Sequence, residues 1–243
     1  MAGAFVQVAG ANSSTVATDV SASVTLSGTT ANNLLVLALS VSNGGDVFTD
    51  PSGWTKILQC PLSGFANGVV YYKIADGSET NVTVAFSNAG EWAATVCEYS
   101  GLATSSVLEA SGENETYISS DQTAGASINS GSATPSTANG MAIACHMGPD
   151  ERDANESELS IDNSYTINDF EQPAAGNNAI VAIASKAYTT TAAQSPNWST
   201  STGAAWKAYT TIAVFKEAAA GGLTGIRNPL GGPIVLRNPL GRM

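Results

Sequence analysis

Nowhere in this chain does an apolar pattern of helical period persist long enough for a long amphipathic helix. Short β-branched and aromatic runs recur instead, alternating with polar residues and bounded by Gly, Asn, Pro and Ser clusters. In the first half the strand candidates are Phe5–Val8, Val16–Leu26, Leu34–Val41, Thr55–Gln59, Gly68–Ile74, Asn81–Phe86 and Trp92–Tyr99. In the second they are Val107–Ala110, Gln122–Ile128, Met141–His146, Tyr165–Phe170, Ala179–Ala187, Ala192–Trp198 and Ala208–Phe215. Short strands at such spacing predict an all-β fold, a β-sandwich of jelly-roll or immunoglobulin-like type.

The two sets run in parallel. Asn33–Ala38 answers Gly140–Cys145, and Gly53-Trp54-Thr55 answers Ser164-Tyr165-Thr166. Tyr71–Ala75 answers Ala184–Tyr188, and Ala85-Phe86-Ser87 answers Asn197-Trp198-Ser199. Each half closes on a Trp followed by a strand of small residues, Trp92–Tyr99 and Trp206–Phe215. Ordered phrases at a near-constant offset predict an internal duplication of a unit of roughly 105 residues. The expected organisation is a first sandwich repeat over 1–105, a second over 106–218, and an extended C-terminal arm over 219–243. Two similar, closely packed sandwiches are expected, since few residues separate Tyr99 from Val107.

The arm contains R-N-P-L-G twice, at Arg227–Gly231 and Arg237–Gly241, after the hinge Gly221-Gly222. Each Asn-Pro-Leu-Gly suits a β-turn, with Pro preset at the second position and Gly at the fourth. Pro233–Leu236 between the turns is a short strand candidate. An arm this short cannot fold alone, and its apolar residues need a surface to cover. Ile226, Arg227, Pro229, Leu230, Ile234, Val235, Leu236, Arg237, Pro239 and Leu240 are therefore the candidate partner-binding residues. Strand addition to another sheet's edge is the expected mode, since it supplies backbone hydrogen bonds and side-chain pockets together.

Charge reinforces this division. The chain carries −11 overall, but the arm holds Arg227, Arg237 and Arg242 and no acid, leaving −14 on the body. An acidic body argues against nucleic acid as a partner. The longest apolar run, Leu34–Leu39, is far below the ~20 residues of a membrane helix. The opening M-A-G-A-F-V-Q-V lacks the basic and apolar regions of a signal peptide, so release by lysis is expected for a protein acting outside the cell. Cys60, Cys97 and Cys145 are an odd number without metal-ligand spacing, and the last two sit in apolar runs as buried thiols would.

The phrases N-L-L-V-L-A-L-S from Asn33, P-S-G-W-T from Pro51, V-V-Y-Y-K-I-A from Val69, V-T-V-A-F-S from Val82 and W-A-A-T-V-C-E-Y-S-G-L from Trp92, with A-V-F-K at Ala213–Lys216, resemble a family of duplicated β-sandwich structural proteins of tailed bacteriophages, also found in bacterial genomes. The resemblance spans most of residues 30–216 and leaves the arm outside. It implies a virion structural protein without catalytic residues. With the arm, it points to a head decoration (cement) protein that contacts the major capsid protein and copies of itself. The alternative is a carbohydrate-binding, host-recognition module of a tail fibre, with a surface glycan as partner.

Other constellations point to bland roles. Asp150, Asp153 and Asn155 within Pro149–Glu158 have calcium-type oxygens, but the EF-hand order and its glycine are missing, so a solvated loop is expected and no metal or cofactor is assigned. His146, the only histidine, ends an apolar strand, and no G-x-S-x-G elbow accompanies it. Glu91 and Glu98 are read as strand-edge charges in preference to a glycosidase pair. Trp54, Trp92, Trp198 and Trp206, with Tyr71, Tyr72 and Tyr209, have the rings for a sugar-stacking platform, yet Trp54 and Trp92 recur at positions equivalent to Tyr165 and Trp206, as packing residues would.

Overall fold

A computed structural model describes residues 3–13, 19–42, 45–61, 67–118, 127–148, 159–173, 179–201 and 206–219. They form an all-β, antiparallel fold. In chain order the strands are β1 (Ala4–Asn12), β2 (Asp19–Thr25), β3 (Leu34–Val41), β4 (Phe48–Thr49), β5 (Thr55–Pro61), β6 (Asn67–Ile74), β7 (Asn81–Gly90) and β8 (Trp92–Ser100). There follow β9 (Leu108–Ile118), β10 (Ser127–Asn129), β11 (Gly140–Gly148), β12 (Leu159–Ile161), β13 (Thr166–Glu171), β14 (Ile180–Tyr188), β15 (Asn197–Thr200) and β16 (Trp206–Lys216).

Strands of the first half build a five-stranded sheet, β1-β8-β3-β6-β5, faced by a three-stranded sheet, β2-β7-β4. Those of the second build β9-β16-β11-β14-β13, faced by β10-β15-β12, the same order shifted by eight strands. The correspondence extends to register. Leu34 is opposite Ile74 and Tyr99, while Met141 is opposite Ala187 and Phe215. A bulge follows Lys56 in β5 and Ile167 in β13, and another falls at Val6 in β1 and Glu109 in β9. Left-handed backbone recurs at Asn32 and Asn139, which enter β3 and β11, where a short amide side chain tolerates positive φ.

Three cores hold the layers together. Leu35, Leu37, Leu39, Val69, Tyr71, Val84, Phe86 and Val96 fill the first sandwich. Ala142, Ala144, Ala182, Trp198, Ile212 and Val214 fill the second. The third lies between the two large sheets, where Leu34, Val36, Ala38, Cys97 and Tyr99 meet Met141, Ile143, Cys145, Val181, Tyr209 and Phe215. The arrangement is thus four sheets deep, with this seam as the core between the two closely packed sandwiches. It explains why every residue of β3 and β11 is buried. A strand covered on both faces reads as a continuous apolar run, not as an alternation. At the seam Gly68 comes so close to Met147 that a Cβ there would lie 3.0 Å from its Cβ and Sδ.

Some strand expectations need correction. β4 and β12, of two and three residues, escape notice because so short a run has no detectable period. Ala192–Pro196 is not strand: Gln194 turns back to bond Ala192 O, and regular pairing starts at Asn197, past the proline. β9 runs on to Ile118 through E-A-S-G-E-N-E, a polar sequence that an edge strand accommodates.

Candidate functional site

The ten arm residues named above, Ile226 to Leu240, lie outside the described residues, but the point where the arm leaves the body does not. After β16 the chain turns onto the connection between the two halves. Leu102 forms an antiparallel bridge with Glu217, and Ala218 N donates to Gly101 O at 2.9 Å. Ala103 N donates to Lys216 O at 3.1 Å, and Glu217 N donates to Asn139 O at 3.1 Å. The connection between halves and the root of the arm are therefore tied into one junction. A cleft of about 650 Å³ opens there, lined by Leu102, Thr104, Thr137, Asn139, Lys216 and Glu217 among others.

This root is also beside the start of β1. Ala4 pairs with Ser100, next to Gly101, and a Cβ on Gly3 would touch the Leu102 side chain. β1 is an edge strand, paired among the described residues with β8 alone. Phe5, Val6 and Val8 on it are 39%, 44% and 38% exposed.

The groups with chemical potential are dispersed and buried. His146 faces the core of the second sandwich, its ring edge-on to Trp198 at 5.7 Å between centroids. Burial pushes its pKa down to about 4, so the ring is neutral near pH 7. Cys97 and Cys145 are free thiols in the seam, and burial raises both, Cys145 to about 12. No cysteine of this kind is a ready nucleophile. Among the described residues no group of three or more His, Cys, Asp and Glu is placed to hold a metal ion; Asp150, Asp153 and Asn155 lie outside them.

Glu91 and Glu98 are not edge charges. Both are buried, at 1% and 2% exposure, on either side of the run Trp92–Cys97. Seven residues of extended chain separate them by about 23 Å, at ~3.3 Å per residue, beyond the spacing of a glycosidase pair. Glu98 is an anchor. Its Oε1 accepts from Thr30 N at 2.9 Å and Asn33 Nδ2 at 2.6 Å, and its Oε2 from Gln7 Nε2 at 2.5 Å. Burial pushes this carboxyl up, and the hydrogen bonds outweigh it to hold the pKa below the ordinary value. A lone acid inside the apolar run A-A-T-V-C-E-Y was the sequence signal for such a buried, bonded carboxylate.

Among the described residues the aromatic side chains do not form a platform. Trp92 and Tyr71 belong to the first sandwich core, Trp198 to the second, and Tyr209 to the seam. Trp54 packs partly buried against the first core, and Tyr72 meets Phe215 edge-on across the seam. The side chain of Trp206 lies outside the description. No protein-family model, curated protein or solved structure matches the chain.

Proposed function

We propose that this chain is a non-enzymatic structural protein of a tailed-phage virion, a head decoration protein that attaches to the capsid lattice partly through its C-terminal arm. The observation that carries the reading is the contrast between body and arm. An acidic body with three packed cores ends in a cationic segment that holds seven large aliphatic residues and two turn motifs. Burying such residues is worth roughly 1.5–3 kcal/mol each. Ordering the arm costs ~1–2 kcal/mol per residue and nearly cancels that gain. Backbone hydrogen bonds, arginine–carboxylate pairs and the multivalency of a lattice tip the balance toward attachment. The repeated strand order and the matching phrases support an internal duplication as the origin of the body.

The test is truncation after Ala220. The shortened protein keeps its β-rich circular dichroism and cooperative unfolding but no longer co-sediments with purified heads. Undiminished head binding by the truncated protein refutes a role for the arm. Imaging of intact particles that finds the protein only at the tail refutes the placement on heads.

A further inference from the structure

The first sandwich buries a charge at a position where the second has a valine. Gln7, Glu98 and Leu35 lie abreast on β1, β8 and β3, so their side chains share the face that Leu35 turns to the first core. In register, the corresponding residues of β9, β16 and β11 are Ala110, Val214 and Ala142. Asn33, which donates to Glu98 Oε1, corresponds to Gly140. The second sandwich thus packs this corner with small and apolar side chains, and Val214 belongs to its core. The same framework closes without an acid there, so packing alone does not call for Glu98.

Glu98 lines a cleft of about 330 Å³ in the first sandwich, with Leu26, Leu35 and Val96 as apolar walls and Gln7 and the exposed Thr25 also in its lining. The three donors on Glu98 are all neutral: the amides of Gln7 and Asn33 and the backbone N–H of Thr30. Oε2 carries only one of these bonds and has lone-pair capacity for another. Among the described residues Glu98 has no ion-pair partner. Lys73, next along the same row beyond Leu35, is held by Glu79 at 2.8 Å. The carboxyl is held below the ordinary Glu value, so it is ionised near neutral pH. A buried anion, hydrogen-bonded but without an opposite charge, therefore faces a cleft with apolar walls.

We propose that this cleft binds a primary ammonium group on a short aliphatic stem, the ammonium donating to Glu98 Oε2 and the stem packing against Leu26, Leu35 and Val96. An ammonium supplies the missing opposite charge, and it has donors but no acceptor, as a site built around a carboxylate requires. The apolar walls take the stem out of water, in the manner of small-ligand sites that pair an apolar lining with a few placed polar groups. A neutral alcohol lacks the charge, and an anion is repelled. The group comes from a free alkylamine or from a lysine side chain, which present the same chemistry. The inference is independent of the arm and of the particle the protein serves.

Amide NMR of the full-length protein, titrated with n-butylammonium at neutral pH, tests it. The resonances of Gln7, Leu35 and Val96 shift together and saturate, while n-butanol, the neutral counterpart, binds at least about tenfold more weakly. The Gln7→Ala/Glu98→Val variant, which copies the second half, weakens n-butylammonium binding by at least about tenfold. Thr25→Trp, which narrows the cleft and leaves Glu98 and its donors in place, weakens it as well. Absence of a saturable shift, equal affinity for n-butanol, or shifts scattered over the acidic surface overturns the proposal. Unchanged affinity in the double variant overturns it too, and Thr25→Trp takes that role should the double variant not fold. Nα-acetyllysine methylamide binding as tightly as n-butylammonium assigns the group to a lysine side chain; binding of n-butylammonium alone assigns it to a free amine, and either result supports the site.

Discussion

His146 makes the fold's stability depend on pH. Its ring is buried against Trp198 with a pKa lowered from 6.5 to about 4, chiefly because burial penalises the charged form. In the unfolded chain the ring takes a proton near pH 6.5; in the folded protein it does not until about pH 4. Stability is therefore fully present above the unfolded value and is lost as pH falls toward the folded one. For those two values the loss between pH 7 and pH 5 is about 2 kcal/mol, and the full shift corresponds to on the order of 3 kcal/mol. Replacing the ring by an aliphatic chain of similar size, His146→Leu, removes the linkage. Denaturant titrations followed by Trp fluorescence at pH 7 and pH 5 read it directly. The wild type loses about 2 kcal/mol more than the variant over this interval. Equal losses refute the argument, since a histidine that ionises alike in both states is not buried as described. His146→Gln, neutral and polar, is the control should leucine perturb the packing.

Two further outcomes follow from the packing and the polar network. Gly68→Leu forces a side chain into the seam where even a Cβ lies 3.0 Å from Met147, so it destabilises by about 1–3 kcal/mol, read as a lower denaturation midpoint. Glu98→Gln leaves the donors of Gln7, Asn33 and Thr30 without a full carboxylate and costs about 1.5–3 kcal/mol at neutral pH. Because the folded carboxyl has a lowered pKa, the wild type's advantage is present above the ordinary Glu value and shrinks as pH falls below it, which acid titrations of both proteins check.

The sequence by itself determined the class of fold and the place of most strands. Side chains that alternate with period two and turn residues that demand particular backbone angles act locally, so clusters of Gly, Asn, Pro and Ser marked strand boundaries without help from the rest of the chain. The contrast between an acidic body and a cationic arm was equally legible, because it is a matter of composition. Only the tertiary structure decided that the two large sheets pack face to face. Leu34 and Leu35 are both leucine, and nothing local says that one points into the seam and the other into the first sandwich. A run buried on both faces carries no alternation from which to read a partner. Glu98 shows the same limit. It was read from the sequence as a strand-edge charge, because the partners that bury and bond it come from residues 65 to 91 positions away. Register is a long-range property: it is set by which strands meet, and that depends on burying all three cores at once.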